Sequence, residues 1–447
     1  MEGTSHVRSR GRGVILAAPA SGSGKTVLTM ALLRLLSRHR GNVAAIKTGP
    51  DYIDPAFHSA AAGRPCLNLD LWAMRAGTVA SLVERLSADH ELIVAEGAMG
   101  LFDGAADGSG ATADLAALTG WPVVLVVDAR GQGASIAAVA RGFRDHRADV
   151  EIAGIVCNRV GSAEHASILA QALEPIGLPL LGMVRRDESL SLPERHLGLV
   201  QAGEHGDLEG FIEHAAEEIG RQIDLAAVTA LARPARDLSA RIGADSFIAP
   251  LGQHVAVARD AAFAFAYPAL LQEWRERGAT LSFFSPLAGD GPDRSADAIY
   301  LPGGYPELHA GRLAQNRALM TGLQVAAQRG TAIYGECGGY MLLGQGLVDA
   351  EGRRQPMAGL LALETSFAER RLHLGYRAVT LRGETLPIGV AGSRFRGHEF
   401  HYARILNEAG TEPLFAAGDA RGRELGSAGQ RVGRVFGSFV HLIDRAA

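Results

Sequence analysis

The sequence predicts two doubly wound α/β domains that meet near residue 240. Three observations carry this. Short apolar and β-branched runs alternate with helical stretches, the pattern of a parallel sheet covered by helices. The alternation pauses at Ala232-Arg233-Pro234-Ala235-Arg236 and the polar residues up to Ser246, then starts again. A chain of 447 residues is long for a single core, and 47% hydrophobic content is ample for two. The expected domains are residues 1–235 and 249–447, with a linker over 236–248.

In the first domain, Val14–Ala18, Val43–Lys47, Leu92–Ala95, Val123–Val127 and Ile152–Cys157 read as buried strands. Thr26–Leu36, Gly77–Leu86 and Ser162–Leu173 read as the helices between them, and Ser189–Gln222 as a mainly helical closing segment. A second series follows at Val255–Ala258, Thr280–Phe284, Ala298–Leu301 and Ala332–Tyr334. After Met357 the pattern becomes more β-like, with few helical stretches.

The bulk composition excludes several classes. A net charge of −4 offers no electrostatic case for nucleic acid or an acidic membrane. Arg8–Arg12 is basic but brief and reads as a frayed terminus. Val14–Ala18 is too short for a signal-peptide core, and no run approaches the roughly 18 apolar residues of a membrane span. Cys66, Cys157 and Cys337 are far apart and lack metal-ligand spacing, which suits a reducing cytosol.

The chain has only two lysines, Lys25 and Lys47, among 44 basic residues, and both lie in phosphate-type motifs. The first strand runs into Pro19-Ala20-Ser21-Gly22-Ser23-Gly24-Lys25-Thr26, with a helix after it. This is the context of a phosphate-binding loop. Its glycines let backbone N–H groups face phosphates, a compact ammonium serves as a point charge, and Thr26 offers Mg²⁺ a hydroxyl. Pro19 stands where such loops usually have their first glycine. Ser21, Gly22, Ser23, Gly24, Lys25, Thr26 and Lys47 are the expected ATP-binding residues.

Lys47 opens Lys47-Thr48-Gly49-Pro50-Asp51-Tyr52-Ile53-Asp54, and another strand ends in Glu96-Gly97-Ala98-Met99-Gly100-Leu101-Phe102-Asp103. Both segments belong at the carboxyl edge of the sheet, where open α/β sheets bind ligands. Mg²⁺ prefers oxygen ligands, so Thr26, Asp51 and Glu96 are the expected metal ligands. Tyr52, Asp54 and Asp103 are expected to orient or activate the substrate.

In the second domain, Tyr334-Gly335-Glu336-Cys337-Gly338-Gly339-Tyr340 places a thiol on a strand-to-helix turn between small residues. A nucleophile on such an elbow is exposed to substrate, and the following helix start favours thiolate and oxyanion. Gly303 and Gly304 of Leu301-Pro302-Gly303-Gly304-Tyr305, with Gly338, are the candidate oxyanion hole. The partner base is His441, His398 or His401; spacing alone leaves the three open.

The ordered set Ser21–Thr26, Lys47–Pro55, Glu96–Gly104, Leu301–Glu307, Gly335–Tyr340, Gly397–Tyr402 and Gly437–His441 resembles the cobyrinic acid a,c-diamide synthase family, hydrogenobyrinic acid enzymes included. The resemblance covers nearly the whole chain. It implies a dethiobiotin-synthetase-like ATP domain followed by a class I glutamine amidotransferase domain. It implies Cys337 as the glutaminase nucleophile and His441 as its base. Class I amidotransferases carry a glutamate two residues after that histidine; here the position is Ile443, a departure shared by the cobyrinate branch. What orients His441 is then not explained by the sequence.

The implied partners are ATP with Mg²⁺, L-glutamine and a corrin-type polycarboxylate. The implied chemistry is phosphorylation of the a and c acetate carboxylates and displacement of phosphate by glutamine-derived ammonia. An internal passage for ammonia, a cytoplasmic location and a homodimer are further expectations. The alternatives are a nickel-sirohydrochlorin a,c-diamide synthase and, in a different class, a P-loop switch protein with a degenerate amidotransferase domain.

Overall fold

The computed structural model describes residues 10–195, 198–242, 248–383, 386–408 and 412–446. It divides into two compact units at Ala244/Asp245, a boundary outside the described residues. The short segments Ala73–Arg75 and Ala105–Asp107 group with the second unit.

The first unit is built on seven parallel strands: β1 (Arg12–Ala17), β2 (Val43–Thr48), β3 (Leu67–Leu69), β4 (Leu92–Glu96), β5 (Val123–Asp128), β6 (Ile152–Val160) and β7 (Leu180–Arg185). Their order is β3-β2-β4-β1-β5-β6-β7. β1 to β5 are buried along almost their whole length, because helices cover both faces of a parallel sheet. The chain winds one way from β1 to β4 and the other from β5 to β7. The carboxyl ends of β1, β2 and β4 therefore lie side by side at the switch point. Two helices bear on the site: α1 (Lys25–Arg40) leaves β1, and α2 (Asp54–Ala62) follows β2.

Two expectations for this unit need correction. Ser189–Gln222 is not mainly helical: its only long helix is Leu208–Gly220, preceded by short turns and a two-residue strand pair. Asp207 starts that helix by accepting from the Gly210 amide at 2.9 Å, a cap that the charge-rich stretch before it cannot supply by composition. The linker expected to begin at 236 also begins later. Arg233–Pro234 pairs antiparallel with Arg12 and Gly13 of β1, and Arg236 donates from its backbone to Thr119 and from Nη1 to Ala117. Leu238 is buried. Proline suits this edge position, where its missing N–H costs no ladder bond. The remainder of the expected linker, residues 243–247, and Arg8 of the basic stretch at the start lie outside the described residues.

The second unit carries a ten-stranded mixed sheet. One half is parallel and doubly wound: Thr280–Phe284, His254–Ala258, Ala298–Leu301, Ala332–Glu336 and Val435–Ser438, in that spatial order. The other half is antiparallel: Glu424–Val432, Glu412–Gly418, His373–Leu381, Arg394–His401 and Val440–Arg445. The expected doubly wound core forms the first half, and the antiparallel half is built from the β-like stretch after Met357. Phe439 alone separates Val435–Ser438 from Val440–Arg445, yet these strands sit five places apart in the sheet. The antiparallel half thus curls back toward the strand that carries the thiol.

Candidate active sites

In the first unit the loop after β1 is held in shape from several sides. Gly22 and Gly24 have φ of 74° and 84°, in the left-handed region. A Cβ on Gly24 would stand 2.2 Å from Asn158 Nδ2, so only glycine fits. Asn158 Nδ2 donates to the Ser23 carbonyl at 2.9 Å, Arg159 Nη1 donates to the Gly22 carbonyl at 2.6 Å, and Ser23 Oγ donates to the Ala20 carbonyl at 2.8 Å. No side chain caps α1 and no acid sits in its first turn, so its leading N–H groups suit an anion. Lys25 Nζ donates to the carbonyls of Met99 (2.8 Å) and Ala20 (3.3 Å). Burial lowers its pKa, against the pull of Glu96.

Lys47 is 3% exposed and donates to Asp54 Oδ2 at 2.6 Å and to Glu96 Oε1 at 2.8 Å. Thr26 Oγ1 lies 3.2 and 3.1 Å from those same two oxygens. The other oxygen of Glu96 meets His58 Nε2 in a short contact. Burial opposes charge on both Lys47 and Glu96. Opposite charge prevails: Asp54, then Glu96, holds Lys47 above the usual lysine range, and Lys47, then His58, holds Glu96 well below the usual carboxylate range.

The structure brings together Thr26, Lys47, Asp54 and Glu96. Asp51 flanks this cluster: its Oδ1 accepts from the backbone of Ile53 (2.7 Å) and Asp54 (3.3 Å), starting α2 in the manner of an Asx turn, and it faces Asp54 and Lys47 electrostatically. Burial and the neighbouring Asp54 raise its pKa. Asp54 thus occupies the place beside Glu96 and Thr26 that was expected of Asp51. Asp103 accepts from the Gly100 amide at 2.9 Å and faces Lys25 electrostatically. Tyr52 is half-buried on the same loop. Thr26, Asp54 and Glu96 present three oxygens of the hard kind that Mg²⁺ takes, two of which now accept from the Lys47 ammonium, so a metal here would share them with Lys47. His58 was not anticipated, although the signal was present: Asp54 and His58 are spaced i, i+4 and so share one face of α2. Asn158 and Arg159, 135 and 137 residues from the carbonyls they hold, gave no local signal.

In the second unit, Cys337 has φ 46° and ψ −101° at the turn between Ala332–Glu336 and the short helix Gly338–Leu343. Only Met99, Arg159 and Cys337 among the described non-glycine residues have positive φ. Two of them hold the first-unit loop and its lysine, and the third bears the thiol. Such backbone strain persists where surrounding structure enforces it. The Cys337 amide donates to the Ser438 carbonyl at 2.8 Å, joining the elbow to the strand before His441. A Cβ on Gly338 would stand 3.1 Å from the Gly304 amide nitrogen, and one on Gly303 would stand 2.3 Å from His441 Cε1. The Gly303–Gly304 loop therefore approaches both the elbow and the imidazole.

The expected bias of the short helix toward thiolate is overridden. Burial, then Glu307 and Glu399, push the Cys337 thiol well above its ordinary range. Burial also pushes His441 well below the usual histidine range. Both shifts favour the uncharged forms of the pair.

His398 and His401 lie close by. His398 pairs with His441 across adjacent strands, with ring centroids 6.0 Å apart. His401 stacks on Phe439, and its Nε2 lies 2.9 Å from Glu399 Oε1. Glu399 also accepts from Arg377 Nε at 2.6 Å. His373, Glu399 and His401 form a group with metal-ligand chemistry, but the guanidinium already meets the carboxylate's charge.

Comparison with known proteins agrees with this two-site layout. Residues 14–200 match the CobQ/CobB/MinD/ParA nucleotide binding domain, and residues 254–446 match the CobB/CobQ-like glutamine amidotransferase domain. A hydrogenobyrinate a,c-diamide synthase of Brucella anthropi is 56% identical over 97% of this chain and 98% of its own. Those of a Sinorhizobium species and of Rhodobacter capsulatus are 52% and 49% identical, over 97% of this chain and 99% and 98% of theirs. Two domain matches in this order, with identity at this level along nearly the whole length, place the chain in the hydrogenobyrinate a,c-diamide synthase family.

Proposed function

We propose that this chain converts two acetate carboxylates of hydrogenobyrinic acid, the a and c groups, to amides, using ATP and glutamine. The observation that carries the reading is the pairing of a phosphate loop and buried acid–lysine cluster in one unit with a cysteine elbow and imidazole in the other. The full-length identity to hydrogenobyrinate a,c-diamide synthases favours the metal-free macrocycle as substrate.

In the first unit, the loop Ser21–Thr26 and Lys25 bind the nucleotide phosphates. Thr26, Asp54 and Glu96 would hold Mg²⁺, which when bound neutralises phosphate charge. Lys47 keeps Asp54 and Glu96 ionised and together. Tyr52, Asp51 and Asp103 line the loops that orient the substrate. A carboxylate resists ammonia because its anion is a poor electrophile and oxide a poor leaving group. Transfer of the γ-phosphoryl group to a carboxylate oxygen gives an acyl phosphate, and ammonia then displaces phosphate to leave the amide.

In the second unit, His441 takes the Cys337 proton as sulfur attacks the glutamine amide carbon. Backbone N–H groups around Gly303, Gly304 and Gly338 receive the developing oxyanion. Cleavage of the C–N bond releases ammonia and leaves a thioester, which water hydrolyses to glutamate. Homodimeric assembly remains part of the reading as the ordinary outcome for such enzymes.

Mass spectrometry tests it. Incubation with metal-free hexa-acid, ATP and glutamine should yield two carboxyl-to-amide conversions, and cobalt- or nickel-bearing macrocycles should yield fewer. Cys337→Ala should abolish glutamine-driven amidation and preserve amidation driven by ammonium salts. Normal glutamine use by that variant would refute the nucleophile assignment.

A further inference from the structure

We propose that Glu336 is the positioning acid for His441, replacing the carboxylate that class I amidotransferases place two residues after the histidine. The inference rests on the Cys337–His441 glutaminase reading above. It answers a question the sequence leaves open, because Ile443 stands at the usual acid position and is a buried hydrophobe.

Glu336 is the residue immediately before the nucleophile, and it is 1% exposed. Oε2 lies 3.9 Å from His441 Nδ1 and accepts from Tyr300 Oη at 2.7 Å. Oε1 accepts from Tyr334 Oη at 2.8 Å and from the Leu442 amide at 3.0 Å. Every one of these three partners donates, so the group is built as an acceptor. The Leu442 bond fixes the backbone next to His441. The Cε1 edge of the ring lies against Gly303, where even a Cβ would not fit. The ring is thus set between Gly303 and Glu336, with Nδ1 on the acid side. Nε2 is then the nitrogen that exchanges protons with the thiol, the same division of labour as in other triads.

The groups facing the pair are Tyr300 and Tyr334 beside the carboxylate, and His398, Glu399 and His401 beside the imidazole. Glu399 is neutralised by Arg377. Glu336 is thus the acid within 4 Å of the imidazole to balance an imidazolium. Burial pushes it up to about 7, against the hydrogen bonds of Tyr300, Leu442 and Tyr334.

The cycle is as follows. The Cys337 proton passes to Nε2 while sulfur bonds to the glutamine amide carbon. The Nε2 proton then passes to the departing nitrogen as the C–N bond breaks, releasing ammonia. Water gives a proton to Nε2 and its oxygen displaces sulfur, the proton returns to sulfur, and glutamate leaves. In each half the imidazolium exists transiently, and Glu336 stabilises it without itself taking the proton.

Glu336→Gln in the full chain keeps the shape and an acceptor oxygen but removes the countercharge. Glutaminase kcat should fall on the order of 100-fold, with KM for glutamine changed only a few-fold. The acidic limb of the kcat profile near pH 7 should disappear, and Glu336→Asp should recover part of the rate. Ammonium-driven amidation should be unchanged. Wild-type kcat with a wild-type pH profile in Glu336→Gln overturns the proposal. If Cys337→Ala still uses glutamine, the glutaminase reading itself fails instead. A measurement on the unmutated protein covers the case in which Glu336→Gln does not fold. Its ¹⁵N-histidine spectrum at pH 8, with His441 assigned by comparison with His441→Gln, should show the proton on Nδ1. A proton on Nε2 overturns the proposal.

Discussion

Each unit buries a glutamate at the carboxyl end of a central parallel strand, and the two glutamates are in opposite electrostatic situations. Glu96, at the end of β4, meets the ammonium of Lys47 and the imidazole of His58. Glu336, at the end of Ala332–Glu336, meets two tyrosine hydroxyls and one amide. Burial raises the pKa of both. Lys47 reverses the effect for Glu96, whereas neutral donors leave Glu336 at about 7. The same fold position thus yields a permanent anion beside the phosphate loop and a titratable one beside the thiol. The cause is the partner: a full positive charge outweighs desolvation, and hydroxyl dipoles do not.

Replacing the decisive partner is the strongest way to break this contrast. Lys47→Met leaves Asp54 and Glu96 buried without their common cation. It should cost about 3–5 kcal/mol of stability, lowering the melting temperature of the first unit by roughly 10 °C. Calorimetry that finds no loss would show that His58 alone holds the cluster.

Next in size, Lys25→Arg keeps the charge but cannot fit a guanidinium where Nζ now reaches the Met99 and Ala20 carbonyls. Amidation should fall on the order of 100-fold, with glutamine hydrolysis nearly intact. Near-normal amidation would mean that the loop needs only a generic cation.

The pH dependence gives a smaller, signed effect. Glu96 has a depressed folded pKa. Its contribution to stability is present above the unfolded value of about 4.3 and is lost only as pH falls below that. Glu336 has a raised folded pKa, so its contribution is full below about 4.3 and is lost as pH rises toward about 7. Between pH 5 and 7 the stability of wild type should therefore decline relative to Glu336→Gln, by at most about 1.4 kcal/mol per pH unit. Denaturant titrations showing a constant difference would place Glu336 among ordinary carboxylates.

Much of the fold was legible because its signals are local. The core strands of both units appear as short apolar runs, and Thr280–Phe284 and Ala298–Leu301 fall at the observed bounds. Leu67–Leu69 is not legible because three residues carry no period, and Leu180–Arg185 because only two of its six residues are buried. The site residues divide in the same way. The glycine loop, Lys25, Cys337 and the Gly303–Gly304 loop announce themselves by spacing. Which of Asp51 and Asp54 touches Thr26 and Lys47 was not legible, since both are acids on one loop and the Asx turn engages Asp51 with the backbone. Along the chain Glu336 is only the neighbour of the thiol, because its partners Tyr300 and Leu442 come from distant strands.

By itself, the sequence determined the order of the two units, the loops at the strand ends and the residue types that reach them. Those properties depend on neighbours along the chain: glycine where φ is positive, alternation where a strand is covered, a lysine next to a phosphate loop. Only the tertiary structure decided the partners and therefore the protonation states. Lys47 and Glu96 are 49 residues apart, and Glu336 and Leu442 are 106 apart. A carboxyl group's charge is set by what desolvates it and what faces it. For these two glutamates those groups arrive from distant strands, so the chemistry of each was fixed when the sheets closed around it.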